Sequence, residues 1–350
     1  MRGEITVDMN ILKRNVAEYK KRLGDGVKII GVVKADGYGH GAQAIAENVN
    51  LFDGFAVATT DEAIKLRTVT DKPVLLLGFT HGYDETFEAV NRKIAVTVWN
   101  GTQVDELARA GDKLGKCATA HIAVDTGMNR IGLKTREELN ALAAKIEFSD
   151  SVMLGGVYSH FFDGGDDTKT ELQRAKFIDV TRDCPKEVIR HIAASCRALD
   201  KNCGFSAVRL GIGMYGYGAN FVEPCLSVKG EVVRNVKVTV GETVGYGGEY
   251  TAEKEEYIAT LSLGYADGIS RLMKGGEVLI NGKRRKIVGN VCMDYCFALS
   301  DENVRAGDEV VFIGRQGDEF ITAEEVAKHT NTIAYETLTG FKRIPRRYIL

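Results

Sequence analysis

The chain has 350 residues, of which 44% are apolar and 27% are charged, a composition typical of a globular protein with a sizeable core. Its 46 basic and 48 acidic residues nearly cancel, which argues against nucleic acid as a partner. The apolar runs are too short for a membrane span and Met1–Thr6 has no apolar signal core, so we expect a cytoplasmic protein. The seven cysteines include no CxxC pair, which predicts reduced thiols and no metal site.

The first two-thirds of the chain alternates short apolar runs with helical patterns. A helix over Asn10–Leu23 precedes the first run. Eight runs are predicted strands: Val27–Val33, Gly54–Ala58, Val74–Leu77, Ile94–Val98, Ala120–Val124, Met153–Tyr158, Val188–Ile192 and Ala207–Leu210. Helices are predicted between most of them: Gly41–Val49, Asp61–Thr68, Asp84–Asn91, Thr102–Leu114, Thr135–Ile146 and Thr168–Arg182. The fifth begins Thr135-Arg136-Glu137-Glu138, a pattern typical of a capping box. Such repeats build parallel sheets, and eight of them favour an α/β fold of the (β/α)8, or TIM, barrel type over a doubly wound open sheet.

From about Cys225 the pattern changes to consecutive strands separated by glycine turns. The predicted strands are Leu226–Val233, Lys237–Val240, Tyr257–Leu263, Glu277–Ile280, Lys286–Val288, Cys296–Leu299 and Glu309–Ile313. One short helix is predicted at Ala323–His329. With Pro224 at the change, we predict a barrel over residues 1–223 and a mostly β domain over residues 224–350.

Polar residues follow five of the eight predicted barrel strands. Because the carboxyl ends of barrel strands share one face and usually carry the active site, these residues predict a pocket there. They are Lys34, Asp125 with Arg130, Ser159 with His160, Ser195, and Arg209 with Gly211.

Lys34 directly follows the apolar run Ile29–Val33. Partial burial of an ammonium favours its neutral amine, and a neutral amine can condense with an aldehyde. A lysine whose stem covers the barrel rim while its head stays in water is an equal alternative.

Gly211-Ile212-Gly213 and Ser195 follow the last two predicted strands, where barrels often bind phosphate. A lysine and a phosphate site in one pocket suggest pyridoxal 5′-phosphate (PLP). Arg209 could reach the same pocket, where it would donate to an unprotonated pyridine nitrogen, or it could form a salt bridge at the rim.

The segment Val32–Gly41, which contains Lys34, resembles the cofactor-lysine motif of the alanine racemase family. Six further segments resemble motifs of that family in the same order: Val124–Leu133, Tyr158–Phe161, Val208–Gly216, Val244–Gly247, Leu263–Gly268 and Gly289–Asp294. The resemblance runs from Ile5 to Arg346, and the family's fold, a PLP barrel plus a β domain, agrees with the element pattern.

The resemblance implies an isomerase that interconverts L- and D-alanine and supplies D-alanine for cell-wall peptidoglycan. Lys34 would hold PLP covalently and act as one acid/base. Tyr246 would be the second acid/base, on the opposite face of the cofactor. In the family this tyrosine comes from the partner subunit, which implies a head-to-tail homodimer with shared active sites.

The same resemblance implies the remaining contacts. His160 would stack by the pyridine ring and link Arg209 to the phenol of Tyr246, while Arg209 would donate to the pyridine nitrogen. The phosphate would be held by Tyr38, Ser195, Gly211, Ile212 and Tyr335. The substrate carboxylate would be received by Arg130 and the backbone N–H of Met293, and the entrance would be lined by Tyr265 from the partner.

Two positions depart from the family. Ala123 stands where the family often has a carbamylated lysine that binds the substrate arginine, so Asn129 or a bound anion such as chloride is left to orient Arg130. Ala194 stands where the family has asparagine before the phosphate-binding serine, which removes one polar contact.

Three other functions are weighed against alanine racemisation. A serine or broad-specificity racemase has the same fold, and the bulk of Tyr335 favours alanine. A PLP decarboxylase needs an acidic partner for the pyridine nitrogen, and Arg209 argues against it. A non-catalytic PLP-binding protein lacks the β domain that this sequence predicts.

Overall fold

The computed structural model describes residues 2–203 and 205–350, which divide into two compact units. The barrel unit comprises Leu12–Gly37 and Gly41–Glu223. The β unit comprises the segment ending at Ile11, Tyr38–His40 and Pro224–Leu350.

Within the described residues, the barrel unit contains eight parallel strands, and each of the first six pairs with the next along the chain. The last pairs back with the first, from Lys28↔Ala207 to Gly31↔Leu210. A parallel bridge between Ala194 and Arg209 joins the seventh strand end to the eighth, which confirms the barrel rather than the open sheet. The strands are Lys28–Val32, Gly54–Val57, Val74–Leu76, Ile94–Val98, Ala118–Ala123, Val152–Tyr158, Ile189–His191 and Ala207–Leu210.

Helices follow the first six barrel strands, and short 3-10 turns follow the last two. The helix Met9–Leu23 precedes the first strand. Thr135 caps its helix as the sequence predicts: its hydroxyl accepts from Glu138 N at 3.2 Å, and the Glu138 side chain binds back to Thr135 N. The helices that follow the strands are Ala42–Asn48, Thr60–Arg67, Tyr83–Asn91, Gly101–Leu114, Arg136–Glu147 and Asp167–Val180, and the turns are Ser195–Arg197 and Ile212–Tyr215.

The β unit, over the residues that the structure describes, is a nine-stranded sheet with a small hairpin, Thr243–Val244 and Tyr250–Thr251, and two helices. The helices are Ala323–His329 and Ala334–Thr339. The sheet strands are Gly3–Asp8, Leu226–Val238, Glu256–Leu261, Glu277–Ile280, Lys283–Val288, Cys296–Ser300, Glu309–Gln316, Glu319–Ile321 and Arg346–Ile349.

The first strand differs from the sequence prediction, which assigned all of residues 1–223 to the barrel. Gly3–Asp8 pairs antiparallel with Leu226–Val238 and parallel with Arg346–Ile349, so it is part of the β unit. Ile5 and Val7 are fully buried on one face of this strand. The two strands that pair with Gly3–Asp8 lie more than 200 residues away in the sequence, and the local periodicity of a sequence does not reveal such distant pairing.

The β unit differs from the prediction at other elements as well. The short strands Thr243–Val244, Tyr250–Thr251, Glu319–Ile321 and Arg346–Ile349 were not predicted. The predicted strands Leu226–Val233 and Lys237–Val240 are one strand, Leu226–Val238, whose pairing with Glu256–Leu261 shifts register between Val232 and Arg234. The sequence predicted a single short helix, and the second, Ala334–Thr339, was missed because six residues give too little periodic signal.

No helix within residues 2–203 and 205–350 combines the length and the apolar character that crossing a membrane requires.

Candidate active site

Lys34 lies directly beyond the first barrel strand and is half-buried. Burial lowers the pKa of its ammonium, and the positive charges of Arg130 and Arg209 lower it further, whereas Glu62 acts in the opposite direction. Glu62 also fixes the backbone after the lysine, because its carboxylate accepts from Ala35 N at 2.6 Å. The amine therefore loses its proton more readily than that of an ordinary lysine.

The backbone after Lys34 is strained. Ala35 and Asp36 both have φ of 52°, in the left-handed region that side chains with a Cβ rarely adopt, and Gly37 follows at 64°. The Asp36 carboxylate accepts from Ala42 N at 3.0 Å and so stabilises the turn. Such strain is common where a loop must present a functional group.

Arg209 is a buried cation, 3% exposed, in the last barrel strand. It donates to the backbone carbonyls of Ser159, His191 and Ile192 at 2.6, 3.0 and 3.1 Å. It also donates to Nδ1 of His191 at 2.6 Å and to Nδ1 of His160 at 3.2 Å. The guanidinium is therefore held against the ends of the sixth and seventh strands.

The Arg209 guanidinium fixes the ring protons of two histidines. Because arginine only donates, Nδ1 accepts in both His160 and His191, and each neutral ring carries its proton on Nε2. Nε2 of His191 then donates to Nδ1 of His121 at 3.3 Å. Burial and the charge of Arg209 lower the pKa of His160 to about 3 and of His121 to about 4, and hold that of His191 well below its ordinary value.

His121, His191 and Tyr158 were not among the predicted site residues. The Tyr158 ring stacks on His191 with centroids 5.1 Å apart, and its hydroxyl lies 3.0 Å from that of Thr97. These side chains lie within strands that read as apolar core. The one feature of the sequence that could have identified them is a polar residue inside a barrel strand. Side chains of such a strand alternate between the barrel interior and the surrounding helices, so a polar one can face the interior.

Ser195 and the glycines after the last strand form a compact polar cradle. The Ser195 hydroxyl accepts from Gly211 N at 3.0 Å and from Gly213 N at 3.1 Å. A Cβ on Gly213 would lie 2.4 Å from the Tyr19 hydroxyl, so the close approach requires glycine. Ile212 begins the 3-10 turn beside this cradle, and Ala194 before Ser195 offers no polar side-chain atom. Converging N–H groups and a hydroxyl suit a phosphate group.

Arg130 lies on the loop after the fifth barrel strand and is exposed. Its guanidinium forms no hydrogen bond or ion pair with any residue that the structure describes. The side chain of Asn129, one expected orienting group, binds Gly127 O and Lys134 instead.

In the β unit, Tyr265 and Met293 lie on two loops that are bonded to each other. Tyr265 N donates to Cys292 O at 2.9 Å, and Ala266 N donates to Met293 O at 3.0 Å. A Cβ on Gly264 would lie 2.4 Å from Cys292 O, so this approach also needs glycine. Both Tyr265 and Met293 are exposed.

Three tyrosines complete the predicted set. Tyr246 is 74% exposed and follows Gly245, which has φ of 74°. The rings of Tyr38 and Tyr335 lie together in the β unit, with centroids 5.9 Å apart and planes at 54°. Tyr335 is exposed, whereas Tyr38 is buried.

The barrel unit thus places a half-buried lysine with a lowered pKa, and a compact group of one hydroxyl and two backbone N–H groups, at the ends of its strands. The model of the alanine racemase N-terminal domain matches residues 7–219, and that of the alanine racemase C-terminal domain matches residues 225–348. The chain belongs to the alanine racemase family, a family of amino-acid racemases.

Known proteins resemble the chain over its whole length. Alanine racemase 1 of Bacillus subtilis is 36% identical over 362 residues, which cover 98% of this chain and 92% of the relative. The crystal structure of alanine racemase from Bacillus anthracis with bound L-Ala-P has 34% identity and a TM-score of 0.92, and covers 100% of this chain and 95% of that one. Histidine racemase from Leuconostoc mesenteroides has 28% identity and a TM-score of 0.91, with coverage of 100% and 98%.

We expect the free energy of unfolding to fall as the pH is lowered from about 7 to about 5. The pKa of His121 and of His191 is lower in the folded protein than the value near 6.5 expected when unfolded, so unfolding takes up protons in this interval. Each buried histidine contributes up to about 2 kcal/mol over that range, because one pKa unit corresponds to about 1.36 kcal/mol.

Urea unfolding at several pH values and one fixed cofactor concentration measures this dependence. A His121→Gln variant, which removes one such group, should show a shallower slope. If the free energy of unfolding depends on pH equally in the variant and in the parent, His121 is not held neutral in the folded protein.

Proposed function

We propose that the chain is a PLP-dependent racemase that interconverts L- and D-alanine, with Lys34 and Tyr246 as its two bases. The observation that carries the proposal is the half-buried Lys34, whose pKa is lowered, in a barrel of this family. Two-base racemisation needs a group that can both accept and donate a proton near neutral pH. We further propose that the reaction supplies D-alanine for peptidoglycan and takes place in the cytoplasm.

The residues of the barrel unit fit PLP. Lys34 offers an amine for the aldehyde, the Ser195 cradle suits the phosphate, and Arg209 offers a fixed cation for the pyridine nitrogen. By family resemblance, Gly211, Ile212, Tyr38 and Tyr335 would complete the phosphate site. When bound, PLP supplies a conjugated ring that accepts the electron pair left on the α-carbon after its proton departs.

Racemisation then requires two proton transfers on opposite faces of the α-carbon. The α C–H bond would break, its proton would pass to one base, and the electron pair would stay with the substrate. The other base then delivers a proton to the opposite face, and that new C–H bond reclaims the electron pair. The first base has gained one proton and the second has lost one, so the overall charge is conserved.

A tyrosine with an ordinary pKa near 10 is a weak base unless its anion is stabilised. His160 can supply this stabilisation, because Arg209 occupies Nδ1 and leaves the proton on Nε2. We propose that this Nε2–H donates to the phenolate of Tyr246 of the partner subunit. Arg209 would thereby stabilise the phenolate without contacting it.

The proposed contacts with the substrate rest on the same family resemblance. We propose that Arg130 and the N–H of Met293 bind the carboxylate of the amino acid, and that Tyr265 lines the entrance. The exposed Arg130 guanidinium, without a hydrogen bond to any described residue, supports its part. Serine or broad-specificity racemisation is the second candidate, because a solved structure that resembles the chain is a histidine racemase.

Substitution of the two bases tests the reaction. Lys34→Ala should remove both the visible absorbance of lysine-bound PLP and the alanine racemase activity. Tyr246→Phe should leave PLP bound and slow exchange at one face of the α-carbon, because only the phenolic hydroxyl is removed. Deuterium uptake, measured separately from L-alanine and from D-alanine, should then fall unequally. A Lys34→Ala variant that racemises alanine, or equal small losses in Tyr246→Phe, would contradict the assignment.

A mixing experiment tests the proposed homodimer with shared sites. The inactive variants Lys34→Ala and Tyr246→Ala should regain activity when mixed, because each heterodimer has one site with both bases intact. Up to about half of the sites in the heterodimers should be active, as expected for a two-fold symmetric dimer. Subunit exchange without any returning activity would exclude shared sites.

Tyr335 is predicted to determine the choice of substrate side chain. Its ring would fill the space beyond the β-carbon, and an unpaired substrate hydroxyl costs about 1–3 kcal/mol, so L-alanine should exceed L-serine by about 10- to 100-fold in kcat/KM. Tyr335→Asn should narrow that ratio. If the ratio stays constant while PLP affinity falls, Tyr335 serves only the phosphate.

A further inference from the structure

The Arg130 loop, Asp125–Leu133, is closed at its base by the barrel backbone. Asp125 N donates to Leu133 O at 2.8 Å, and Leu133 N donates to Ala123 O at 2.9 Å. Gly132 has φ of 117°, and a Cβ there would lie 2.7 Å from Asp125 N. The loop therefore leaves and rejoins the end of the fifth strand at fixed points.

Asp125 holds the interior of the loop. It is 4% exposed, and its Oδ1 accepts from Gly127 N at 2.9 Å and from Asn129 N at 3.0 Å. Burial alone would raise the pKa of this carboxyl, but the two N–H groups and Lys134 lower it below its usual value. The carboxylate is thus charged and bound to the backbone one residue before Arg130.

Lys134 connects the far end of the loop to the same point. Its Nζ donates to Asn129 Oδ1 at 2.8 Å and lies 3.8 Å from Asp125 Oδ2. Asn129 has φ of 54°, a left-handed conformation that asparagine tolerates better than most residues. The residue directly before Arg130 is therefore held through both its backbone and its side chain.

The contacts of Lys134 also keep Arg130 available. Two side-chain acceptors of the loop are the Asn129 amide oxygen and the Asp125 carboxylate, and Lys134 donates to the first and lies close to the second. A second cation approaching these groups would be repelled by the ammonium. Ala123, 2% exposed, offers no side-chain polar atom that could take over this orienting role.

We propose that Lys134 and Asn129 are a positioning pair that fixes Arg130 for the carboxylate of the amino-acid substrate, an inference that rests on the proposed function. The pair acts on the backbone beside Arg130 rather than on its guanidinium. Its loss should weaken carboxylate binding and leave proton transfer at the α-carbon largely unchanged.

The test uses the PLP-loaded enzyme and two ligands that each carry half of alanine. Propionate has the carboxylate without the amine, and isopropylamine has the amine without the carboxylate. Lys134→Met should raise KM for L-alanine and the inhibition constant of propionate by about 10-fold, a typical cost of misplacing a binding group, with kcat changed by less than about 3-fold. Inhibition by isopropylamine should stay the same.

Matched variants separate positioning from general damage. Lys134→Arg should have the same KM for L-alanine and the same inhibition constant for propionate as the parent, because arginine can donate to the same acceptors. Asn129→Gly should reproduce the effect of Lys134→Met, since glycine keeps the left-handed backbone and removes the amide. Lys145→Met, which removes a surface ion pair with Asp105 at 2.7 Å in the same unit, serves as the control and should have no effect.

Two results would overturn the inference. The first is that Lys134→Met and Lys145→Met have the same kinetic and inhibition constants. The second is that Lys134→Met weakens inhibition by propionate and by isopropylamine equally. A parent enzyme that binds PLP but does not racemise alanine would instead overturn the proposed function.

Discussion

The burial of Arg209 is the constraint on which the rest of the barrel mouth depends. A cation taken out of water costs several kcal/mol unless hydrogen bonds replace its hydration. Here the carbonyls of Ser159, His191 and Ile192 provide that replacement, and they lie at the ends of the strands that complete the barrel. The guanidinium and the strand ends therefore stabilise one another, because removal of the cation would leave three carbonyl groups at the barrel mouth without this donor.

The positive charge of Arg209 also lowers the pKa of the ionisable groups around it. It disfavours a proton on His121, His160 and His191, and it contributes to the lowered pKa of Lys34. Arg209 and Arg130 together give the mouth of the barrel a positive charge. The histidines are neutral and therefore do not add to that charge. Such a pocket favours anionic ligands, and it makes Lys34 lose its proton more readily than an ordinary lysine.

Local sequence patterns were sufficient for the barrel and insufficient for the long-range contacts. The eight strands and the Thr135 cap depend on periodicity and on residues three positions apart, and both were predicted correctly. The strand Gly3–Asp8 was missed because its partners are remote in sequence. The sequence pattern assigned His191 and His121 to the core, since only the fold shows that Arg209 bonds to His191 and that His191 bonds to His121. Tyr246 alone reads as a turn residue, and its proposed role came from family resemblance.

The chain order of the β sheet has a consequence for synthesis on the ribosome. Gly3–Asp8 emerges before the entire barrel segment, whereas its antiparallel partner Leu226–Val238 emerges after it. At ordinary elongation rates the first strand waits on the order of ten seconds or more for that partner. An unpaired strand edge invites aggregation, and polar residues that interrupt an apolar strand reduce this risk. Glu4, Thr6 and Asp8 alternate with Ile5 and Val7 along the waiting strand. Charged residues at Glu4 and Asp8 are thus expected to disfavour pairing of this strand with other chains before Leu226–Val238 has been synthesised.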